Sequence, residues 1–184
     1  LPLLHLLDST TETAKRIAQQ IGARHFIIQT EETKNENYLQ NPSNRCYFCK
    51  SELYAKIKEF AKQNRIKNML NGTNFDDLKD YRPGLKAAEE YKIIAPLAEA
   101  KITKAEIREL AKQLGLEIWY KPASPFLASR VPYGNEITLK KFKMIETAEN
   151  YLKDEFDIKE LRVRHLGNTA SIEVNKENFS LFNE

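Results

Sequence analysis

Cysteine is scarce in this sequence. The 184 residues contain two cysteines, Cys46 and Cys49, which form one Cys-x-x-Cys pair. A secreted disulfide framework needs more cysteines than this, so we expect a cytoplasmic protein. A structural zinc ion normally takes four ligands, and the sequence offers no second Cys-x-x-Cys and only three widely spaced histidines. Metal or cluster binding, thiol chemistry and packing therefore all stay open for the pair.

Long apolar runs and a large excess of one charge are also lacking. No apolar stretch approaches the ~20 residues of a membrane span, and the leucine-rich start has neither the basic residues nor the cleavage site of a signal peptide. The 29 basic and 26 acidic residues give a net charge of +3, without a dense basic block. We therefore expect neither a membrane nor a nucleic acid as a partner.

Amphipathic helices are the clearest feature that the sequence does contain. Ser9-Thr-Thr-Glu12 is a capping box that starts a helix, and Gly22 ends this helix. Thr103-Lys-Ala-Glu106 starts another helix, which ends before Gly115. A further helix is predicted from about Lys50.

Short apolar runs alternate with these helices. Residues 25–30, 66–71 and 93–97 each predict a strand. Strands that alternate with helices indicate an α/β domain with a parallel sheet covered on both faces. We place this domain at residues 1–124 and expect its first strand to precede residue 1.

The pattern changes after Trp119, where a proline-rich loop begins. A helix capped by Thr138 follows, and then two alternating strands at residues 161–165 and 170–174. A helix that leads into a hairpin indicates an α+β unit. We assign residues 125–184 to a second, smaller domain that continues beyond the last residue.

A polar segment follows the predicted strand 66–71, at the sheet edge where open α/β sheets bind ligands. Gly72 lets a ligand approach the backbone, Thr73 and Asn74 offer hydrogen bonds, and Asp76 and Asp77 are candidates for holding Mg²⁺ beside a polyphosphate. The alternative is an ordinary turn built from its usual residues.

The cysteine pair precedes the helix predicted from Lys50. The field at a helix N-terminus lowers the pKa of a nearby thiol, so this position favours thiolate chemistry at Cys46 and Cys49.

Two arginines alternate along the first strand of the second domain. Arg162 and Arg164 project from the same face, where they can grip a phosphate or a carboxylate, and Arg130 is a candidate to join them. The alternative is that both are solvated charges paired with Glu160 or Glu173.

Four segments, in order along nearly the whole chain, resemble the LarE family of ATP-dependent sacrificial sulfur transferases of the PP-loop class. They are Asn44-Arg-Cys-Tyr-Phe-Cys-Lys50, Gly72-Thr-Asn-Phe-Asp-Asp77 with Asp80-Tyr-Arg-Pro-Gly84, Pro96-Leu97 with Lys101-Ile-Thr-Lys-Ala-Glu-Ile-Arg108, and Leu127-Ala-Ser-Arg-Val-Pro-Tyr-Gly134.

The resemblance implies a homo-oligomeric enzyme for nickel-pincer nucleotide synthesis. It implies that the enzyme uses ATP and Mg²⁺ to adenylate a carboxylate on a pyridinium mononucleotide. Sulfur would then replace the activated oxygen. Residues 72–77 would lie against the nucleotide and its metal. Substrate contacts or catalysis would fall to Tyr47, Ser129, Arg130, Glu149, Arg162, Arg164 and Glu173.

The sequence departs from the family at two places. The family's Ser-Gly-Gly-x-Asp-Ser phosphate loop is not in this sequence, and we expect it to precede Leu1. The family's sacrificial cysteine stands immediately before Leu127, where this sequence has Phe126. Some relatives bind an iron–sulfur cluster through three cysteines, and this route also loses its third ligand if that ligand stood at Phe126.

Three functions remain open. The first is a LarE-like sulfur transferase with an altered sulfur supply, through Cys46 and Cys49. The second is an amidating ligase, in which ammonia attacks the adenylate and no thiol is needed at Phe126. The third is a nucleotide-binding protein or scaffold without catalysis.

Overall fold

Helices are the main secondary structure of the described residues. The structure is a computed structural model, which describes residues 8–121 and 126–182, with side chains from residue 11 onward. Within these ranges the α-helices are α1 (Asp8–Gln20), α2 (Glu36–Leu39), α3 (Arg45–Gln63), α4 (Gly84–Glu90), α5 (Pro96–Glu99), α6 (Lys104–Gln113) and α7 (Leu139–Phe156). Short 3₁₀ turns lie at Glu32–Lys34, Asp76–Lys79, Glu117–Tyr120, Leu127–Arg130 and Lys176–Phe182.

Two predicted helices end where expected. Helix α1 is followed by Gly22 in the left-handed region, with φ of 66°, although the predicted cap at Ser9 lies outside the described side chains. Helix α6 has the predicted capping box: the Glu106 amide donates to Thr103 Oγ1 at 3.3 Å, and the Thr103 amide donates to Glu106 Oε2 at 2.8 Å. Gly115 follows α6 with φ of 68°.

Helix α3 begins at Arg45, before the predicted start at Lys50. The Cys-x-x-Cys pair therefore lies within the first turns of the helix and does not precede it. Tertiary contacts explain the earlier start, because Phe48 and Cys49 pack against a buried cluster that the local sequence does not reveal.

The predicted parallel sheet is reduced to one bridge among the described residues. Leu70 pairs in parallel with Ile94, and the Ile94 amide donates to Met69 O at 2.9 Å. Residues 25–30 form no strand, and residues 96–97 at the end of the predicted strand 93–97 belong to α5, with Pro96 in its first turn. A short apolar run becomes a strand only where neighbours complete its hydrogen bonds, which is why the prediction is wrong for residues 25–30 and is reduced to one parallel bridge for 66–71 and 93–97.

The predicted helix and hairpin of the second unit are confirmed. Thr138 caps α7 by accepting a hydrogen bond from the Lys141 amide at 3.2 Å. Strands β1 (Leu161–Leu166) and β2 (Thr169–Val174) pair in antiparallel fashion, with Arg162 opposite Glu173.

One buried cluster joins the two predicted domains. Its buried members are Tyr38 from the first domain and Leu127, Ala128, Val131, Ile137, Phe142 and Ile145 from the second, and Leu39, Phe48 and Cys49 pack against them. Residues 122–125, at the predicted domain border, lie outside the described part of the chain. None of the described helices combines the length and apolar character that a membrane crossing requires.

Candidate functional site

A cavity of about 490 Å³ opens between the N-terminal end of α3 and residues 71–85. It brings together Cys46, Gly72, Thr73 and Asp77, four of the residues assigned from sequence. An ideal Cβ built at Gly72 meets no atom within 4 Å, so the backbone at Gly72 is open to the cavity. The other lining residues are Ser43, Lys50, Tyr54, Asn71, Asp80, Tyr81, Arg82, Pro83, Gly84, Leu85 and Tyr133.

Asn74 has a structural task in the loop beside this cavity. Its side chain is buried, and its Oδ1 accepts hydrogen bonds from the amides of Asp76 at 3.0 Å and Asp77 at 3.2 Å. This is the turn chemistry that asparagine commonly supplies. The side-chain oxygen of Asn74, a candidate for bonding a nucleotide, therefore already accepts two hydrogen bonds within the loop.

The carboxylates of Asp76 and Asp77 make separate contacts. Asp77 lines the cavity and pairs with Arg82 Nη2 at 2.8 Å, whereas Asp76 accepts a hydrogen bond from the Lys104 amide at the start of α6. Among the described residues, no three His, Cys, Asp or Glu side chains form a metal-holding group. Of the predicted Mg²⁺ pair, Asp77 alone faces the cavity, so a magnesium ion there would take most of its ligands from nucleotide oxygens and water.

The two cysteines differ in environment. Cys46 is exposed and lines the cavity, whereas Cys49 packs against the buried cluster that joins the predicted domains. Burial raises the pKa of Cys49 to about 11, with Glu32 adding to the effect. The prediction of a lowered pKa is wrong for Cys49, because loss of hydration outweighs the helix field. With no third ligand among the described residues, the pair does not by itself fit a metal or cluster site.

Tyr47 points toward α4. Its hydroxyl donates to Glu90 Oε2 at 2.7 Å, which raises the pKa of Tyr47, and Lys86 Nζ lies 5.6 Å from its ring centroid. Tyr47 is absent from the residues that line the cavity. Its predicted substrate contact stays a prediction.

A cluster of charged residues lies on the Leu127–Arg130 turn, α7 and the hairpin. We call Ser129, Arg130, Glu149, Arg164 and Glu173 the arginine cluster. Arg130 Nε donates to Glu149 Oε1 at 2.8 Å, and Arg130 Nη1 donates to Ser129 Oγ at 3.0 Å. Both Arg130 and Glu149 are buried. The five residues were assigned separately from the sequence, and the structure brings them together.

Arg164 connects the hairpin to the Leu127–Arg130 turn. Its Nη1 donates to Ser129 O at 3.0 Å, and its Nη2 donates to Glu173 Oε2 at 3.0 Å. The Arg164 guanidinium lowers the pKa of Glu173. For Arg164 the structure therefore shows the pairing with Glu173 that the sequence analysis gave as the alternative to phosphate binding.

Arg162 lies on the same face of β1 as Arg164 and is half-buried. Among the described residues its side chain makes no hydrogen bond or ion pair, although its charge helps to lower the pKa of Glu173. Glu173 stands opposite Arg162 in the strand register, but its carboxylate pairs with Arg164. Arg162 consequently keeps its hydrogen-bond donors available to a ligand.

Phe126 lies at the edge of the arginine cluster. Its side chain is 68% exposed, and its carbonyl accepts hydrogen bonds from the Ser129 amide at 2.9 Å and from Ser129 Oγ at 2.8 Å. The position that corresponds to the family's sacrificial cysteine is therefore accessible from solvent and in contact with Ser129 of the arginine cluster.

Sequence reasoning missed several residues. Lys50, Arg82 and Tyr133 line the cavity, yet only their membership of the matched segments drew attention to them. Arg45 and Asn41 are buried polar residues that contact the Leu127–Arg130 turn and the chain after it. These contacts span more than eighty residues, so no local sequence pattern signals them.

The chain is similar in sequence to several longer proteins. It is 45% identical over 177 residues to an uncharacterized protein of Synechocystis, covering 96% of this chain and 66% of the relative. It is 32% identical over 164 residues to an uncharacterized protein of Methanocaldococcus jannaschii, covering 89% and 64%. The chain thus spans slightly less than two thirds of the length of the curated relatives it matches. No protein-family model matches it.

A third relative carries a functional name. The chain is 31% identical over 180 residues to the pyridinium-3,5-bisthiocarboxylic acid mononucleotide synthase of Lactiplantibacillus plantarum, covering 96% of this chain and 65% of the synthase. This similarity supports a LarE-like family, of which this synthase is a member.

Proposed function

We propose that this chain carries the substrate-binding and sulfur-transfer part of an ATP-dependent enzyme that converts a carboxylate of a pyridinium mononucleotide into a thiocarboxylate. The arginine cluster is the observation that carries the proposal. It adjoins Arg162, whose donors are available, and Phe126, which is exposed at the position of the sulfur donor. A guanidinium in this setting binds the phosphate of a mononucleotide in fork geometry.

The chemistry needs two steps. The substrate carboxylate attacks the α-phosphorus of ATP and releases pyrophosphate, and a thiolate then attacks the acyl carbon and displaces AMP. Activation is needed because a carboxylate oxygen leaves poorly, whereas AMP leaves readily. We assign ATP and its Mg²⁺ to the cavity at Gly72, Thr73 and Asp77, and we expect the active enzyme to be a cytoplasmic homo-oligomer.

The thiol must come from a residue other than Phe126, because phenylalanine has no sulfur. Cys46 is the thiol that this chain offers, since it is exposed in the cavity, whereas Cys49 is packed and its pKa is raised. If Cys46 gave up its sulfur, cleavage of its Cβ–S bond would leave dehydroalanine in the protein.

The test uses the full-length protein with ATP, Mg²⁺ and a carboxylated pyridinium mononucleotide. Mass spectrometry should detect AMP and the thiocarboxylate product, and Cys46→Ser should abolish the thiocarboxylate while pyrophosphate release continues. Phe126→Cys supplies a matched gain of function: in the Cys46→Ser background it should restore one turnover, with loss of one H₂S from the protein mass. Pyrophosphate release without any sulfur product in the unmodified protein would contradict the proposal.

An amidating ligase is the second candidate, and the exposed Phe126 favours it because amidation needs no thiol at this position. In that reaction ammonia attacks the adenylate and displaces AMP. Labelled ammonia that appears in the product, with no thiocarboxylate, would select this function. Tight binding of ATP without turnover of any substrate would indicate a nucleotide-binding protein without catalysis.

A further inference from the structure

Arg45 is a buried cation in the first turn of α3. Its residue is 6% exposed, and its Nη1 donates to the side-chain Oδ1 of Asn41 and to Ala128 O, the latter at 2.7 Å. The guanidinium also lies 5.1 Å from the ring centroid of Tyr133. Among the described residues no carboxylate lies within ion-pair distance of Arg45. Its charge is therefore buried against neutral acceptors and an aromatic face, an arrangement that costs solvation free energy.

Asn41 extends this contact along the same loop. It is fully buried in the left-handed region, with φ of 54°, and its amide Nδ2 donates to Pro132 O at 2.8 Å and to Asn135 O at 3.0 Å. Its backbone carbonyl accepts a hydrogen bond from the Gly134 amide at 2.9 Å. Residues 128–135 are thus held from one side by Asn41 and Arg45.

Two arginines hold consecutive carbonyls of this loop from different elements. Arg45 on α3 contacts Ala128 O, and Arg164 on β1 contacts Ser129 O at 3.0 Å. The loop has the arginine cluster at its start and Tyr133, which lines the cavity, near its end. A shift of the Arg45 guanidinium would consequently act on both places.

We propose that Arg45 is a positioning residue that fixes the cavity wall at Tyr133 and the arginine cluster relative to each other. In the reaction proposed above, these two places hold the ATP and the mononucleotide, and the distance between them decides whether the carboxylate reaches the α-phosphorus. The identity of the two ligands rests on the proposed function; the positioning role rests on the contacts of Arg45.

The test compares the full-length protein with Arg45→Lys, Tyr133→Leu and Ala61→Gly. Lysine keeps the charge but loses the planar fork that reaches two acceptors and the ring at once. Ala61 is buried on the same helix, about 24 Å along its axis from Arg45, and glycine there lowers stability without touching the loop. Dissociation constants for AMP and for the carboxylated mononucleotide are measured by calorimetry at a temperature where all four proteins are folded.

Arg45→Lys should weaken both ligands by about tenfold, because the loop that connects the two places loses a charge-assisted contact to Ala128 O. Tyr133→Leu should weaken AMP alone, and Ala61→Gly should weaken neither. The inference is overturned if Arg45→Lys leaves one of the two affinities unchanged, or if Ala61→Gly weakens both to the same extent, since the effect would then reflect lowered stability.

A second readout separates this inference from the proposed function. If the unmodified protein binds neither ligand, the proposed function has failed, and hydrogen exchange then decides the role of Arg45. Faster exchange across residues 127–137 in Arg45→Lys than in Ala61→Gly supports positioning. Equal exchange in the two variants rejects it.

Discussion

Glu149 accepts a hydrogen bond from Arg130 Nε at 2.8 Å and another from the Val163 amide at 3.0 Å, both on its Oε1. One buried carboxylate therefore joins α7 to the Leu127–Arg130 turn and to strand β1. Glu149 is 4% exposed, so its carboxylate is buried behind Arg130. This placement favours a role in positioning Arg130, and the catalytic role that the LarE resemblance implies for Glu149 stays a prediction.

Replacing Glu149 with Gln should lower the free energy of unfolding by about 3–5 kcal/mol, because the buried Arg130 guanidinium loses this carboxylate charge. Urea denaturation measures the change. Glu155→Gln is the matched control, since Glu155 is exposed on the same helix and should shift the value by less than about 0.5 kcal/mol. Similar small shifts in both variants would show that the pair does not support the fold.

The two hairpin arginines should respond differently to alanine. Arg162→Ala should weaken binding of the carboxylated mononucleotide by about 1.5–3 kcal/mol with an unchanged melting temperature, because the Arg162 side chain bonds to no described residue and the backbone pairing of β1 is kept. Arg164→Ala should also lower the melting temperature, because it releases Glu173 and Ser129 O. Calorimetry and thermal melting measure the two quantities. An unchanged affinity in Arg162→Ala would remove Arg162 from the site.

Acid should remove the contribution of Glu173 to stability. Arg164 lowers the pKa of Glu173 in the folded protein below the ordinary value of 4.5, so the folded state holds its proton less tightly than the unfolded state does. The stabilisation is complete above that ordinary value and is lost as the pH falls through the lowered pKa. The pair is partly exposed and screened, so its contribution is at most about 1 kcal/mol.

The measurement is the difference in unfolding free energy between the unmodified protein and Glu173→Gln. This difference should shrink between about pH 7 and about pH 3. A difference that grows toward acid would mean that Glu173 binds its proton more tightly when folded.

The two cysteines should react with an alkylating reagent at different rates in the folded protein. With a pKa of about 11, roughly one Cys49 thiol in a thousand is ionised at about pH 8, and burial also hinders the reagent. Iodoacetamide should therefore modify the exposed Cys46 first in the folded protein, and both at similar rates in urea, as read by peptide mass spectrometry. Equal rates in the folded protein would show that Cys49 is not buried in solution.

Substitutions of the two aspartates in the 72–77 loop should have different effects. Asp77→Asn should weaken binding of Mg²⁺-ATP, because Asp77 faces the cavity, whereas Asp76→Asn should act on stability through its bond to the Lys104 amide. Calorimetry with Mg²⁺-ATP and with ATP in EDTA measures the metal-dependent part. Loss of that part in Asp76→Asn alone would reverse the assignment.

Local patterns predicted the local structure well. The caps at Thr103 and Thr138, the glycines after α1 and α6, and the hairpin with Arg162 and Arg164 on one face all depend on residues a few positions apart, and all are confirmed. The strand predicted at 25–30 was wrong, and those at 66–71 and 93–97 form only the Leu70–Ile94 bridge, because a strand depends on partners that a short apolar run does not identify.

The sequence by itself determined the helix ends, the hairpin, the matched segments and the lack of sulfur at Phe126, since these follow from side chains and neighbours along the chain. Only the tertiary structure decided that Cys49 packs against the buried cluster while Cys46 faces a cavity. The same holds for the different contacts of Asp76 and Asp77 and for the burial of Glu149 behind Arg130. It also brought Arg45 to Ala128 O, eighty-three residues away along the chain. Contacts over such separations are fixed by packing and by the need to satisfy buried polar groups, which act through space and leave no periodic signal in the sequence.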